Sequence, residues 1–271
     1  MDKYGVIGWP IEHSLSPAMH NAAFKALGID AVYEKIPVKP EDLEDFLLNN
    51  RECKGFNITV PHKVRAKEIL DRYPETIGSD YADLCGAINV VKKKDGKFEY
   101  ANTDVQGFLT SLEKDLKFDR KNSSVLLLGC GGAGRAVIAG LQENCAEIYA
   151  YDESKEAVES CKNFSKIKFI SGKDIEQVIK KCNLLVNATP VGMKKGDASP
   201  IDKGLIHKNL FVYDVVYNRE TELVKAAKPR SAGGLGMLLY QGAHAFEFWT
   251  GKKAPIDTMR KALTSQNCNA L

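Results

Sequence analysis

The sequence predicts an α/β protein in two parts: an N-terminal α/β domain with a mostly parallel sheet, then a Rossmann-like dinucleotide-binding domain. Three observations predict it. Short β-rich runs alternate with helical patterns along most of the chain, the signature of a parallel sheet. A wholly apolar run, Val125-Leu126-Leu127-Leu128, suits a central parallel strand buried on both faces. Directly after it comes Gly129-Cys130-Gly131-Gly132-Ala133-Gly134, a G-x-G-x-x-G turn leading into a helical pattern.

Taken in order, Tyr4-Gly5-Val6-Ile7 reads as the first strand. Ser16 and Pro17 read as the N-cap and first residue of a helix. Its apolar residues Met19, Ala22, Ala23, Ala26 and Leu27 recur at helical spacing. Ala31-Val32-Tyr33 is a second strand, and Pro40-Glu41-Asp42 opens a helix with acids where the dipole favours them. Phe56-Asn57-Ile58-Thr59 is a third strand, stopped by Pro61, after which the chain turns into a helix. Residues 87–91 and 97–101 read as a hairpin joined through Asp95-Gly96, with Lys92-Lys93-Lys94 at a solvated tip. A helix over 105–116 and a charged stretch over 117–122 lead to the second half. Strands are expected there at 147–151, 168–170, 184–187 and 211–214, with helices near 133–144, 154–163 and 173–181. Helical patterns over 235–249 and after Pro255 close the chain; periodicity alone assigns them to neither domain.

Composition excludes several classes. The chain has 271 residues, 44% apolar and 27% charged, room for one large or two medium domains. No uncharged apolar run approaches the roughly 20 residues that span a bilayer. The start, Met1-Asp2-Lys3-Tyr4-Gly5, lacks the basic and apolar regions of a secretory signal. A net charge of +3 is too balanced to imply nucleic acid or an anionic membrane as partner. Cysteines at 53, 85, 130, 145, 161, 182 and 268 show no metal-ligand spacing and read as reduced core fillers of a cytoplasmic protein. His13 and His20 lack a third ligand, so no metal is expected.

The glycine loop carries the first functional reading. Gly129 makes the tight turn, Gly131 lets a diphosphate approach the backbone, and Gly134 lets the helix pack on the sheet. Gly132 and Ala133 open the helix whose N-terminal N–H groups receive the anion. Asp152 ends the next strand, where an acid bonds the adenosine ribose hydroxyls. Asp152 and Glu153 together repel a 2′-phosphate, which favours NAD over NADP; the bland alternative is that Asp152 caps a helix near Ser154.

The first half places polar residues at strand ends. Ser14 and Ser16 offer two hydroxyls beside a helix N-terminus, a cradle for a carboxylate. Asn57 and Thr59 lie two apart on a strand and share a face, and Lys63 follows the turn at Pro61. Asn89 and the run Asn102-Thr103-Asp104 sit at later strand ends. Singly each reads as a turn or cap residue. Together, one lysine, one aspartate and several neutral polar groups suit a small polyhydroxylated acid.

The ordered motifs now on the page resemble the shikimate dehydrogenase family, including its quinate/shikimate relatives. The likeness rests on Ser14-Leu15-Ser16-Pro17, Asn57 to Lys63, Gly86-Ala87-Ile88-Asn89, Asn102-Thr103-Asp104 and the glycine loop. It continues through Asn187-Ala188-Thr189-Pro190-Val191-Gly192-Met193, Asp214-Val215-Val216-Tyr217 and Gly236 to Ala243. The resemblance implies a substrate domain over 1–104 completed by 237–271, a linking helix and linker over 105–122, and a dinucleotide domain over 123–236. It implies reversible NAD(P)-linked interconversion of shikimate and 3-dehydroshikimate in aromatic biosynthesis, in a monomer or homodimer. It assigns the carboxylate to Ser14 and Ser16, and the ring hydroxyls to Thr59, Asn89, Asp104 and Gln241, with Asn57 and Tyr217 also at the substrate. It makes Lys63 and Asp104 the catalytic pair and lines the nicotinamide pocket with Thr189, Met193, Val215 and Gly236.

Two departures stand out. NADP-using members carry Asn-Arg-Thr after the second Rossmann strand and a further Arg nearby. Here the chain reads Asp152-Glu153-Ser154, with Ala157 in the later place, so both guanidinium clamps are missing. Asn218-Arg219 replaces a common Pro after Tyr217. The rivals are an NAD-dependent quinate/shikimate dehydrogenase of quinate catabolism and, outside enzymes, a dinucleotide-sensing regulatory protein. Retention of Lys63 and Asp104 argues against the second. Glycines 233, 234 and 236 are expected to ease closure over the substrate.

Overall fold

The alternation of β-rich and helical runs resolves into twelve strands and eleven α-helices among the described residues of a computed structural model, which are 1–73, 76–94, 96–145 and 147–268. Contacts divide the chain into two units, Met1–Asp104 with Leu239–Leu271, and Val105–Leu238.

Unit 1 begins with β1 (Asp2–Gly8), α1 (Ser16–Ala26), β2 (Ala31–Pro37), α2 (Leu43–Asn49) and β3 (Cys53–Ile58). It continues with α3 (Lys63–Leu70), β4 (Thr76–Gly78), α4 (Asp80–Cys85), β5 (Val90–Lys94) and β6 (Lys97–Ala101). The sheet order is β2-β1-β3-β5-β6-β4. β1 runs parallel to β2 and β3, whereas β5 is antiparallel to both β3 and β6. The ends of β1, β3 and β6 therefore share one edge with the start of β5. Ile7, Phe56, Ile58, Leu47, Ile69 and Val91 fill the core below that edge.

The second half begins with α5 (Asp104–Lys114), β7 (Ser124–Leu128), α6 (Gly132–Leu141), β8 (Glu147–Tyr151), α7 (Lys155–Glu159) and β9 (Ile167–Phe169). It continues with α8 (Ile175–Ile179), β10 (Leu184–Asn187), β11 (Phe211–Asp214), α9 (Glu222–Ala226) and β12 (Ser231–Gly233). Its sheet, ordered β12-β11-β10-β7-β8-β9, is parallel throughout. The strand order reverses between β7 and β10, the crevice where doubly wound sheets bind ligands. Residues 105–122 pack within this unit. Phe108 meets Tyr213 edge-on at 5.2 Å, Phe118 meets Phe211 at 5.2 Å, and Leu109 lies 3.0 Å from where a Cβ on Gly140 would sit.

The last helices are α10 (Leu235–Thr250) and α11 (Ile256–Cys268), and from Leu239 onward they belong to unit 1. Trp249 anchors them there. Its indole Nε1 donates to the Val91 carbonyl at 2.9 Å, and its ring would lie 2.5 Å from a Cβ on Gly55. Glycine at 55 is thus a condition for docking this helix on β3. No described helix is long and apolar enough to cross a membrane.

Several local expectations change. Ser16 is the first residue of α1 and not its cap; Leu15 holds the cap position with no side-chain bond. β3 stops at Ile58, so Thr59 lies beyond the strand. The hairpin's first strand starts at Val90, and Asp95, expected in its turn, lies outside the described residues. Lys93 is no solvated tip: it lies half-buried between the Phe56 and Phe98 rings, donating to the Asn50 carbonyl at 2.6 Å. Burial pulls its amine down to about 8.

Candidate active site

Unit 1 gathers its polar strand-end residues through hydrogen bonds. Lys63 opens α3 just after Pro61, and Asp104 follows β6. Lys63 Nζ donates to Asp104 Oδ2 at 2.5 Å, with side chains 17% and 7% exposed. Asn89 Nδ2 donates to Asp104 Oδ1 at 2.9 Å, so both carboxylate oxygens are held. The Asn89 side chain also accepts from the Thr103 backbone at 2.7 Å, and its amide lies 3.3 Å from Gln241 Oε1. The Ile88 N–H donates to the Lys63 carbonyl, tying α3 to the Asn89 loop. A carboxylate and an amine this close and this shielded, amid neutral polar groups, can orient a proton donor or acceptor at one substrate oxygen.

The two serines sit at the start of α1, where the Ser16 N–H donates to Ser14 Oγ at 3.3 Å. Thr59 backbone bonds to Ile7, and its Cγ2 would lie 2.6 Å from a Cβ on Gly8, so glycine there makes room for it. Asn57 is buried; Tyr33 Oη donates to its Oδ1 at 2.7 Å, and its Nδ2 donates to the Asn89 carbonyl at 3.0 Å. Asn57, Asn89, Gln241, Lys63 and Asp104 thus form one connected set. Tyr33 joins it although nothing in its strand setting marks it. The only available signal is that a buried tyrosine hydroxyl needs a partner.

In unit 2 each loop glycine has a different reason. Gly129 has φ +96, a conformation costly for a side chain, and a Cβ there would meet Ala188 and Thr189 backbone at 2.8–2.9 Å. A Cβ on Gly134 would fall 2.1 Å from the Gly129 carbonyl. Among the described residues nothing lies within 4 Å of where a Cβ on Gly131 would sit, which leaves an open cradle before the first turn of α6. Gly131 is the cap residue of α6 and offers no side chain, so Gly132 and Ala133 begin the helix without a side-chain cap. This arrangement fits a diphosphate. Asp152 Oδ2 accepts from the Cys130 N–H at 2.7 Å and Oδ1 from the Ser154 N–H at 2.8 Å. It braces the glycine loop, while Ser154 itself caps α7.

Two residues to which sequence reasoning gave no role organise the next loops. Asp214 ends β11 fully buried; it accepts from Asn187 Nδ2 at 2.9 Å, Thr221 Oγ1 at 2.6 Å and the Val216 N–H at 3.1 Å. Burial raises its carboxyl above the usual range, against those bonds. Asn187 Oδ1 accepts from the Thr189 N–H and hydroxyl, at 3.1 and 2.6 Å. The pair therefore shapes the turns carrying Thr189 and Val215. The signal was present, since a charged residue ending an apolar strand calls for partners. Met193 is 46% exposed on the same loop, whose backbone is tied by Asn218 at the Met193 carbonyl, 3.0 Å, and by Arg219 at the Lys194 carbonyl. That bracing gives Asn218-Arg219 a structural reason. Gly236 has one too: a Cβ would fall 2.0 Å from Asp115 Oδ2. Tyr217 lies in unit 2, where burial raises its phenol. Among the described residues no group of three metal-binding side chains occurs.

Two family models match the chain, one within unit 1 and one over the C-terminal helices that return to it. Residues 6–91 match the family model of the shikimate dehydrogenase substrate binding domain, and residues 234–264 that of the shikimate 5'-dehydrogenase C-terminal domain. The shikimate dehydrogenase (NADP(+)) of Methanopyrus kandleri is 41% identical over 96% of this chain and 93% of its own. The shikimate 5-dehydrogenase of Thermus thermophilus, solved with NADP(H) and shikimate, superposes with a TM-score of 0.87 at 33% identity, covering 100% of both chains. That of Listeria monocytogenes, solved with shikimate and NAD, gives 0.84 at 31% identity, covering 96% of each. Identity on this scale, sustained along almost the entire length, makes the chain a member of the shikimate dehydrogenase family.

Proposed function

We propose that the chain catalyses the reversible oxidation of shikimate to 3-dehydroshikimate, the reductive direction serving aromatic biosynthesis. One observation carries the reading: Lys63 Nζ lies 2.5 Å from Asp104 Oδ2 within a shielded set of neutral hydrogen-bonding groups. When bound, a nicotinamide dinucleotide supplies two-electron hydride chemistry. The protein's share is to orient the acid and to manage one proton. Ser14 and Ser16 hold the carboxylate. Asn57, Thr59, Asn89 and Gln241 hold the ring hydroxyls, and the family pattern adds Tyr217. As the alcohol is oxidised its hydroxyl proton goes to Lys63 Nζ, and in reduction Nζ returns it to the ketone oxygen. Asp104 keeps the amine in place through Oδ2 while Asn89 holds Oδ1.

Gly129, Gly131, Gly132, Ala133 and Gly134 are the residues that would hold the diphosphate, with Thr189, Met193, Val215 and Gly236 toward the nicotinamide. Asp152 is the group for the adenosine ribose hydroxyls, and its carboxylate disfavours a 2′-phosphate. This supports NAD as the preferred dinucleotide, although the Methanopyrus kandleri relative is named for NADP(+). The missing guanidinium clamps favour a second reading, an NAD-linked quinate/shikimate dehydrogenase. Absorbance at the reduced-nicotinamide band, crossing shikimate and quinate with NAD and NADP, tests both. Turnover of shikimate with quinate at background supports the first reading, and comparable turnover of both acids with NAD supports the second. Turnover of neither acid with either dinucleotide overturns both.

A further inference from the structure

Tyr33 on β2 is 1% exposed and fixed from several sides. The Asn21 side chain brackets its backbone, donating to the Tyr33 carbonyl at 2.9 Å and accepting from its N–H at 2.8 Å. The His20 ring stacks on its ring at 4.3 Å and 15°, and the Trp249 ring lies 5.9 Å away. The phenol therefore has one place to be, with its single proton given to Asn57 Oδ1 at 2.7 Å.

An asparagine amide is a donor at one end and an acceptor at the other, and a flip exchanges them. Here both ends are committed. Tyr33 demands an acceptor at Oδ1, and the Asn89 carbonyl takes one Nδ2 hydrogen at 3.0 Å. The second Nδ2 hydrogen is left for a ligand. A residue assigned to the substrate thus depends on one buried phenol that contacts neither the ion pair nor the glycine loop.

We infer that Tyr33 is a positioning residue for substrate recognition, acting through Asn57: its hydroxyl fixes the Asn57 amide as a donor toward an acceptor oxygen of the hydroxy acid. The inference rests on the reading given under Proposed function. It assigns to Tyr33 a part in acid binding and none in dinucleotide binding or the proton step. Tyr33→Phe keeps the ring and its stacking but removes the proton that Asn57 Oδ1 needs. A buried acceptor left without its donor, and free to flip, is worth about a tenfold or greater loss of affinity.

The test is a double-mutant cycle of Tyr33→Phe and Asn57→Ala, with KM for shikimate, KM for the dinucleotide, kcat and the thermal midpoint read for each protein. Tyr33→Phe is expected to raise KM for shikimate about tenfold or more. KM for the dinucleotide is expected to stay within about twofold and kcat within about threefold, because the phenol touches neither. Added to Asn57→Ala, Tyr33→Phe is expected to change KM by less than about twofold, since the partner is already gone. An unchanged KM in the single variant, or effects that multiply fully in the double, overturns the inference while leaving the activity standing. Wild-type protein inert towards both acids overturns the activity and the inference with it. If Tyr33→Phe does not fold, Asn57→Asp carries the test. It keeps an acceptor for Tyr33 but has no hydrogen to donate, so a tenfold rise in KM is expected and an unchanged KM overturns the claim.

Discussion

The His20 imidazole is fully buried on α1, and among the described residues neither ring nitrogen has a hydrogen-bond partner. Burial drives it down to about 3, well below its ordinary value of 6.5. Only the neutral ring is therefore compatible with the folded unit, whereas the unfolded chain takes up the proton near its ordinary value. The sign follows from proton uptake: the unfolded state binds more protons, so stability is complete above 6.5 and falls as pH drops from 6.5 towards 3. At roughly 1.4 kcal/mol per pH unit, this one residue removes about 3 kcal/mol between neutral pH and about pH 4.5. That is a large part of the roughly 5–15 kcal/mol that holds a domain folded. His20→Leu abolishes the titration. It gives up the stack on Tyr33 but keeps an apolar side chain in the same buried place. Urea unfolding followed by tryptophan emission reports the right unit, because Trp249 lies 5.3 Å from the His20 ring. The wild type is expected to lose about 3 kcal/mol more than His20→Leu across that pH range. Parallel stability-versus-pH lines for the two proteins would refute the reasoning, because every other titrating group is common to both.

Three further outcomes are expected. Gly131→Ala is expected to leave the thermal midpoint unchanged yet raise KM for the dinucleotide about tenfold or more, since its Cβ meets open space only until a diphosphate arrives; Gly134→Ala, clashing with the Gly129 carbonyl, is expected to lower both affinity and midpoint. Steady-state kinetics and a melting curve separate the two cases. Asp152→Ser is expected to move the ratio of NAD to NADP efficiency towards NADP by about tenfold, a ratio that kcat/KM for each dinucleotide reads directly; an unmoved ratio removes Asp152 from cofactor choice. Gly55→Ala is expected to cost about 1–3 kcal/mol or more in a urea melt, because the added methyl overlaps the Trp249 indole.

Much of unit 2 was legible because its signals are local. The run Val125 to Leu128 became the strand at the centre of the parallel sheet, and the glycine turn opened α6 as its spacing required. Short elements escaped: β4, with three residues at a sheet edge, and β12, also of three, carry too little pattern to read. Ser16 and the following proline fit a cap, but α1 starts one residue earlier than that pattern implies. The candidate site was legible only in part, because its bonds join distant segments. Lys63 and Asp104 are 41 residues apart, Asn187 and Asp214 27, and Tyr33 and Asn57 24. No periodicity encodes such pairings. Family likeness supplied the first, while the other two emerged once the buried polar groups were asked for their partners.

The central claim is that Lys63 handles the proton of the reacting alcohol while Asp104 holds it in place. Lys63→Ala tests this most directly, read as kcat and KM for shikimate at saturating dinucleotide. The expected result is a kcat lower by about 10²–10⁴ with KM nearly unchanged. A kcat close to wild type would contradict the account, whatever happened to KM.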